Sequence, residues 1–373
     1  MTTLQSHYAL AMMQTGRSTA FMVKLQSKNI KHIRSCLSSL ASVLNNSLCK
    51  QHQHQLQNGG LDLERISGLP IVHHPGYVCQ LPAGHSFPMA KFNMIFDLLV
   101  KDGVIDSCKQ LLTPEAVSRE VACLVHSEEY VDKFFNGHTT SQEQRVTGIP
   151  WSPGLVSRVR YETGGTVLAA RAALQRGLAC STAGGTHHAF PGHGSGYCFL
   201  NDLAVAARLL GAGDNPRRVL IVDLDVHQGD GTAAIFAGDE RVFTFSVHCE
   251  KNFPLRKQRS DLDVGLDMHT ADVAYMAALR NHMAALLDLF RPDLVLYDAG
   301  VDPHVNDVLG KLDLSDQGLF DRDYFVMSET VRRGIPCATV IGGGYSRDLS
   351  ELARRHTIVH RAATRVYQER LGS

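Results

Sequence analysis

The chain lacks three features that would place it in a specialised class of protein. Its nine cysteines include no CxxC pair, and such an odd, unpatterned set in 373 residues favours free thiols in a reducing compartment. No apolar run approaches the roughly 18 residues of a membrane span. The 37 basic and 37 acidic residues cancel, so no overall positive field indicates nucleic-acid binding. What remains, with 44% hydrophobic residues, is globular composition.

Acidic residues are also missing from the N-terminal segment, where the first one is Asp62. This segment is basic and rich in Ser, Thr, Asn and Gln, a composition typical of an organelle transit peptide. A disordered or partly helical extension is the alternative interpretation. Because no repeat or second linker follows, we predict an N-terminal extension over 1–61 and one catalytic domain over 62–373.

The secondary-structure pattern beyond the extension alternates between strands and helices. Continuous apolar runs, which mark strands buried on both faces, predict strands over 218–226, 242–248, 293–302 and 336–345. Helical periodicity predicts helices over 89–101, 166–176, 201–210, 271–290 and 323–333. Such alternation indicates an α/β domain with a parallel sheet, whose ligand crevice lies beyond the carboxyl ends of the strands.

Polar side chains that suit an enzyme site follow these predicted strands. They come from three strand ends and from the loop "AGGTHHAFPGHGSGYCFLND" (183–202), and they are Asp223, Asp225, His227, Asp230, Asp298, Asp302, Tyr345, His187 and His188. A single polar strand end is common in any protein. Four loops that offer acids, imidazoles and a phenol to one edge of a sheet point instead to a catalytic site.

A metal site is the first element of chemistry that these residues suggest. Asp225 and His227 are separated by one residue, so at a strand end both point to the same side. A carboxylate and an imidazole suit a zinc-class ion, and Asp302 is the best candidate for the third ligand. Three protein ligands leave a position open for water and substrate, which is the pattern of a catalytic metal.

Proton transfer is the second element. Amide hydrolysis needs a base for the water and an acid for the leaving amine, and His187 and His188 can divide this work. Asp223 and Asp230 are natural partners for the far ring nitrogens, where a carboxylate fixes tautomer and orientation. The Tyr345 hydroxyl can donate to the oxyanion of the tetrahedral intermediate.

The motifs, taken in order, resemble a known family. "GGTHHAFPGHGSGYCFLND", "VLIVDLDVHQGDGT", "SVHCEKNFP", "DAGVDPH" and "IGGGY" closely resemble the zinc-dependent histone deacetylases, in their class IV-like plant and bacterial branch. The likeness covers about 69–367 and includes "HPGYVCQLPAGHSFPMAKF" and "HSEEYVDKF". It implies an α/β, arginase/deacetylase-like fold, a single domain with a central parallel sheet of about eight strands flanked by helices.

The resemblance also implies a role for each site residue. It implies one catalytic Zn²⁺ held by Asp225, His227 and Asp302, and the pairs His187–Asp223 and His188–Asp230. The second histidine of the tandem then serves as general base and acid, the first acts electrostatically, and Tyr345 polarises the carbonyl.

Two further sites come only from the resemblance. The acyl-lysine tunnel is expected to be lined by Gly196, Phe199 and Phe253. A monovalent cation, K⁺ in type, is expected at the Asp223 side chain, the backbone oxygens of Asp225 and His227, and Ser246 with Val247.

The expected activity is removal of acetyl or other acyl groups from lysine side chains of histones or other proteins, hence chromatin regulation, with no direct nucleic-acid or membrane contact. One alternative is a deacetylase of small acylated amines such as acetylpolyamines, which acidic residues at the tunnel mouth would favour. A non-catalytic binding protein would have lost a zinc ligand, a histidine or the tyrosine, and none is missing. The resemblance favours the nucleus or cytoplasm, whereas the N-terminal composition favours chloroplast or mitochondrion.

Overall fold

The computed structural model of the chain describes residues 63–211 and 216–372. The predicted extension over 1–61 lies outside these residues and stays a prediction. All seven cysteines of the described part are free, in agreement with the sequence expectation. No helix in 63–211 or 216–372 is long and apolar enough to cross a membrane.

One eight-stranded sheet organises the described part of the chain, and every pairing in it is parallel. The spatial order is β2-β1-β3-β8-β7-β4-β5-β6. The strands are β1 (Ile71–Val72), β2 (Leu111–Leu112), β3 (Leu178–Ser181), β4 (Val219–Asp223), β5 (Val242–Cys249), β6 (Leu262–Leu266), β7 (Leu294–Asp298) and β8 (Cys337–Val340). The inner strands β3, β4, β5, β7 and β8 are buried at every position, which is why their sequences are continuous apolar runs. The predicted parallel α/β architecture is confirmed.

Helices connect the strands and flank the sheet. Those of the described residues are α1 (Lys91–Lys101), α2 (Ser107–Gln110), α3 (Arg119–Ala122), α4 (Glu128–Phe135), α5 (Ser141–Thr147), α6 (Pro153–Arg176), α7 (Asp202–Gly211), α8 (Asp230–Ile235), α9 (Asp272–Phe290), α10 (Asp316–Arg332) and α11 (Leu349–Arg370). Many begin at a side-chain cap: the Ser152 hydroxyl accepts from the Leu155 N–H at the start of α6, for example. The helices bury their apolar faces against the sheet and one another, so the core is continuous.

The strand order explains why separate loops form one site. β3, β8, β7 and β4 are consecutive neighbours, and all four run in the same direction. Their carboxyl ends therefore meet at the same edge of the sheet. The ends of these four strands and the segments that follow them carry the acids, the tandem histidines and the tyrosine that the sequence analysis singled out.

Candidate active site

A group of two carboxylates and one imidazole lies beyond β4 and β7. Asp225 and His227 follow β4, Asp302 follows β7, and candidate ligand atoms of the three lie within 4.8 Å of one another. His227 Nδ1 is 3.0 Å from Asp225 Oδ1 and 3.3 Å from Asp302 Oδ2. All three side chains are buried. The structure thus brings together the three residues predicted as metal ligands.

The surroundings of this group fit a divalent cation. Asp302 Oδ2 is buried and has no hydrogen-bond partner in the described part of the chain. Burial and the neighbouring Asp225 raise the pKa of Asp302 to about 7. Two carboxylates this close repel each other unless a positive charge lies between them. Oxygen and nitrogen ligands in this number suit zinc, so the residues present fit the ion that the sequence predicts.

A glycine closes the group from the other side. The Gly343 N–H donates to Asp225 Oδ2 at 2.8 Å. A Cβ at this position would lie 2.2 Å from Asp302 Oδ2 and 2.5 Å from Asp225 Oδ2, so no side chain fits. The motif "IGGGY" has three glycines before Tyr345, and the structure gives this one a definite reason. Its backbone must approach the carboxylates closely.

The tandem histidines each bond a buried carboxylate. His187 Nδ1 lies 2.7 Å from Asp223 Oδ2, and His188 Nδ1 lies 2.6 Å from Asp230 Oδ1. Asp223 ends β4 and Asp230 begins α8, so one strand–loop–helix unit supplies both partners. A ring that donates its Nδ1 hydrogen to a carboxylate presents Nε2 as the working nitrogen.

The pKa values of the two imidazoles shift in opposite directions although their ring centroids are only 4.1 Å apart. Burial opposes the charged form of His187, but Asp223 and Asp225 outweigh it and raise its pKa well above the ordinary value. Burial and the charge of His187 lower the pKa of His188 to about 4. The opposite shifts favour the charged form of His187 and the neutral form of His188.

Tyr345 is held by a lysine and an aspartate that the sequence analysis missed. Its backbone N–H donates to Asp307 Oδ2 at 2.6 Å. Lys91 Nζ donates to the Gly344 carbonyl at 3.2 Å and lies 5.7 Å from the centre of the Tyr345 ring. Burial raises the pKa of Tyr345 well above its ordinary value, so the phenol keeps its proton and remains a hydrogen-bond donor.

Lys91 is 2% exposed, although a lysine in an amphipathic helix normally faces solvent. Burial lowers its pKa to about 8. No signal in the sequence separates this lysine from an ordinary surface residue. The sequence does not mark Asp307 as a site residue either. Its carboxylate accepts hydrogen bonds from the backbone N–H groups of Leu309 and Gly310 in its own loop, as an ordinary loop aspartate does.

Comparison with known proteins agrees with this geometry. The family model "Histone deacetylase domain" matches residues 85–361. The chain belongs to the histone deacetylase family. It is 52% identical to an uncharacterised protein of Picosynechococcus sp. over 80% of this chain and all of that protein. It is 29% identical to histone deacetylase 2 of Arabidopsis thaliana over 70% of each chain. The solved HDA15 HD domain shares the fold, with a TM-score of 0.68 and 21% identity over 82% of this chain and 90% of that one.

The residues at the entrance to the site differ at one position from the three tunnel residues that the sequence analysis expected. Phe253 is 40% exposed, and its ring centre is 4.8 Å from that of His188. Gly196, at φ +50°, lies between them: a Cβ there would be 2.8 Å from the His188 ring and 3.2 Å from that of Phe253. Two of the three predicted tunnel residues therefore flank His188.

Phe199, the third predicted tunnel residue, lies in the core instead. It is 4% exposed and stacks on Phe134 at 5.0 Å. Tyr197 lies where Phe199 was expected. The centre of its half-buried ring is 5.8 Å from that of Tyr345 and 5.1 Å from that of Phe87. The sequence alone does not separate these two aromatic residues, since the positive φ of 66° at Tyr197 turns the loop there.

The residues expected to bind a monovalent cation lie on β4, on β5 and in the loop between β4 and α8. Asp223 and Ser246 are neighbours in the pairing of β4 with β5, and Val247 follows on β5. The Ser246 hydroxyl is 2.9 Å from His248 Nδ1. The cation itself stays a prediction.

Asp298 is a further buried acid to which the sequence analysis gave no role. Both of its carboxylate oxygens lack a hydrogen-bond partner among the described residues. It forms a second group of possible ligands with His187 and Asp223, and Oδ2 lies 4.0 Å from His187 Nδ1. Burial and the neighbouring Asp223 raise its pKa well above the ordinary value.

Proposed function

We propose that this hydrolase of the deacetylase family is zinc-dependent and removes acetyl or other acyl groups from lysine side chains of proteins. One observation supports the proposal most strongly. Two His–Asp pairs of opposite charge preference lie beside the group formed by Asp225, His227 and Asp302. A binding protein has no need of such a buried and electrostatically costly arrangement.

Zinc held by these three ligands would lower the pKa of a water and polarise the amide carbonyl. Neutral His188 accepts the proton of the attacking water, and Asp230 stabilises the imidazolium that forms. The same ring then returns the proton to the leaving lysine amine. Tyr345 donates its hydroxyl hydrogen to the oxyanion, and charged His187 stabilises the developing negative charge.

Acetate release from an acetyl-lysine peptide tests the proposal. We expect activity to disappear on chelation and to return with added zinc. His188→Ala and Tyr345→Phe are each expected to lower kcat by about 10²–10⁴-fold, because they remove the base and one oxyanion donor.

Matched variants of remote residues provide the controls. His138→Ala changes an exposed histidine, and Tyr324→Phe removes a hydroxyl that bonds Glu369 on the far helices. Both should keep full activity. A folded, zinc-loaded enzyme that released no acetate from any acetyl-lysine peptide would contradict the proposal. Equal losses in the remote variants would show that the effects are not specific to the site.

A further inference from the structure

Two loops form a continuous surface beside the entrance, which we call the rim (residues 250–259 and 303–311). The first loop carries Phe253, and the second follows Asp302. The Asn252 side chain donates to the Leu309 carbonyl at 2.9 Å, which joins the two loops. The Val308 N–H donates to the Tyr345 carbonyl at 3.1 Å, which joins the second loop to the catalytic tyrosine. The rim therefore borders the entrance on the side of Phe253, where a chain that presents a lysine can contact it.

The rim is unusually apolar for an exposed surface. Ten large hydrophobic side chains are exposed in the described part of the chain, and five of them lie in these two short loops. They are Phe253, Leu255, Val305, Val308 and Leu309, and Leu255 is 95% exposed. Single exposed apolar residues need no explanation, but a cluster beside a catalytic entrance marks a contact surface.

The rim also carries an excess of positive charge. Its basic residues, none of them buried, are Lys251, Arg256, Lys257, Arg259 and Lys311. Of its two acids, only Glu250 is exposed, because Asp307 is buried and accepts from the backbone of its own loop. The chain as a whole has zero net charge, so this excess is local.

The next acids along the chain lie just outside the rim, Asp261 and Asp263 after its first loop and Asp313 after its second, so the excess of positive charge is confined to the rim itself. Asp261 accepts from the backbone N–H of Thr244, and Asp263 accepts from the Gln228 side chain, both along the edge of the sheet. Lys257 has a structural task as well, since its Nζ donates to the carbonyls of Asn252 and Pro254 and so holds the turn that carries Phe253.

We infer that the preferred substrate is an acyl-lysine in a protein segment whose flanking residues are apolar and acidic. An acylated lysine is itself uncharged, so the rim charges act on its neighbours. A positive rim attracts acidic neighbours and repels a lysine-rich tail or a polycationic amine. The apolar side chains add contacts that a small acylated amine is too short to make. The inference rests on the proposed function and specifies the substrate class of the same site.

Three peptides of equal length test the inference. Each has a central acetyl-lysine flanked by leucine and by Asp, Ser or Lys, and an acetylated polyamine is the fourth substrate. All rates are divided by that on an uncharged acetyl-lysine amide. We expect kcat/KM to be at least tenfold higher for the Asp peptide than for the Lys peptide at low ionic strength. The ratio should fall in 0.5 M salt, which screens exposed charges.

Charge-reversal variants assign the preference to the rim. Lys251→Glu combined with Arg256→Glu is expected to remove or reverse the order of the Asp and Lys peptides. Lys101→Glu is the matched control, because this exposed lysine ends α1, a helix between β1 and β2 at the other end of the strand order. This variant should rank the Asp and Lys peptides as the unmodified enzyme does.

The outcomes separate this inference from the proposed function. Equal rates on the Asp and Lys peptides, or faster turnover of the polyamine, would overturn the inference and leave the deacetylase activity standing. Strong inhibition by a double-stranded oligonucleotide below the KM of the Asp peptide would assign the rim cations to nucleic acid and would also overturn it. Absence of acetate from every substrate, the uncharged amide included, contradicts the proposed function itself.

Discussion

Two aromatic residues of the loop after His188 lie in different surroundings although only Cys198 separates them. The Tyr197 ring contacts Tyr345 and Phe87 at the entrance, and the Phe199 ring stacks on Phe134 in the core. Their backbones are fixed as well: the Tyr197 N–H donates to a carbonyl at the end of α5, and the Phe199 carbonyl accepts from the Tyr130 hydroxyl. At the scale of single residues, the loop therefore has one side that faces the entrance and one that faces the core.

Truncation of each ring is expected to have a different effect. Tyr197→Ala should raise the KM for an acetyl-lysine peptide about fivefold, since an aromatic contact contributes about 1 kcal/mol beyond area burial. Phe199→Ala should lower the free energy of unfolding by about 3–5 kcal/mol, because it leaves a cavity in the core. Steady-state kinetics and urea unfolding of both variants measure the two effects. The reverse assignment, with a raised KM only for Phe199→Ala, would restore Phe199 as the tunnel wall.

At the scale of elements, the sequence predicts those whose pattern is decided locally. The predicted strands at 218–226, 242–248, 293–302 and 336–345 coincide with β4, β5, β7 and β8, because strands buried on both faces are continuous apolar runs. The strands β1 and β2, at one end of the strand order, have two residues each, too few for any periodicity. β6 lies at the sheet edge and pairs only with β5, so its apolar residues alternate with exposed ones and form no continuous apolar run.

The long helix α6 shows a different limit of local patterns. Residues 164 and 165 are glycines in the middle of this helix, where alanine is intrinsically better by about 1 kcal/mol. A Cβ at Gly164 would lie 1.9 Å from the Glu115 carbonyl oxygen, and one at Gly165 would lie 2.0 Å from the Tyr77 hydroxyl. Close packing of two other segments therefore decides these positions, and helix propensity does not.

A pair of alanine variants in α6 tests this explanation. Gly164→Ala is expected to lower the free energy of unfolding by roughly 2 kcal/mol, because the backbone of residue 115 must move. Gly154→Ala is the control within the same helix, since its Cβ would meet Cys79 Cβ at an ordinary 3.5 Å, and it should be neutral or slightly stabilising. Chemical denaturation compares the two. A stabilising Gly164→Ala would show that the backbone at Glu115 can move away from the added methyl group at little cost in free energy.

At the scale of the whole molecule, the parallel sheet makes the candidate site predictable. Parallel strands place all their carboxyl ends at one edge, so motifs distant in sequence are expected to meet, and the predicted metal group and His–Asp pairs do. The supporting contacts of Lys91 and Asp307 are not predictable in this way. They depend on how a helix and a loop pack around Tyr345, and neither residue differs in type from a surface residue. The rim is not predictable from the sequence for the same reason. Its two loops are distant in the chain, and only the fold brings their charged side chains together.

Buried histidines away from the metal group connect the whole fold to pH. Burial lowers the pKa values of His73, His126 and His360 to about 4 from an ordinary 6.5. The unfolded chain therefore binds protons at these sites between pH 6.5 and 4, and the folded chain does not. Stability is full above pH 6.5 and falls as the pH drops towards 4, by at most roughly 3 kcal/mol for each histidine.

His126 allows the clearest test of this pH dependence. Its Nδ1 hydrogen is donated to the Phe190 carbonyl at 2.8 Å, and its Nε2 accepts from the Asn201 N–H at 2.9 Å, so protonation would set two hydrogens against each other. His126→Gln should be less stable at pH 7.5 but should lose less stability than the unmodified protein between pH 6.5 and 5. Urea unfolding at several pH values measures both, and the exposed His138→Gln is the control that should keep the original slope. Because both variants keep the same metal ligands, acid effects on that group cancel in the comparison. Identical slopes for His126→Gln and the unmodified protein would mean that the neutral state of His126 does not contribute to acid sensitivity.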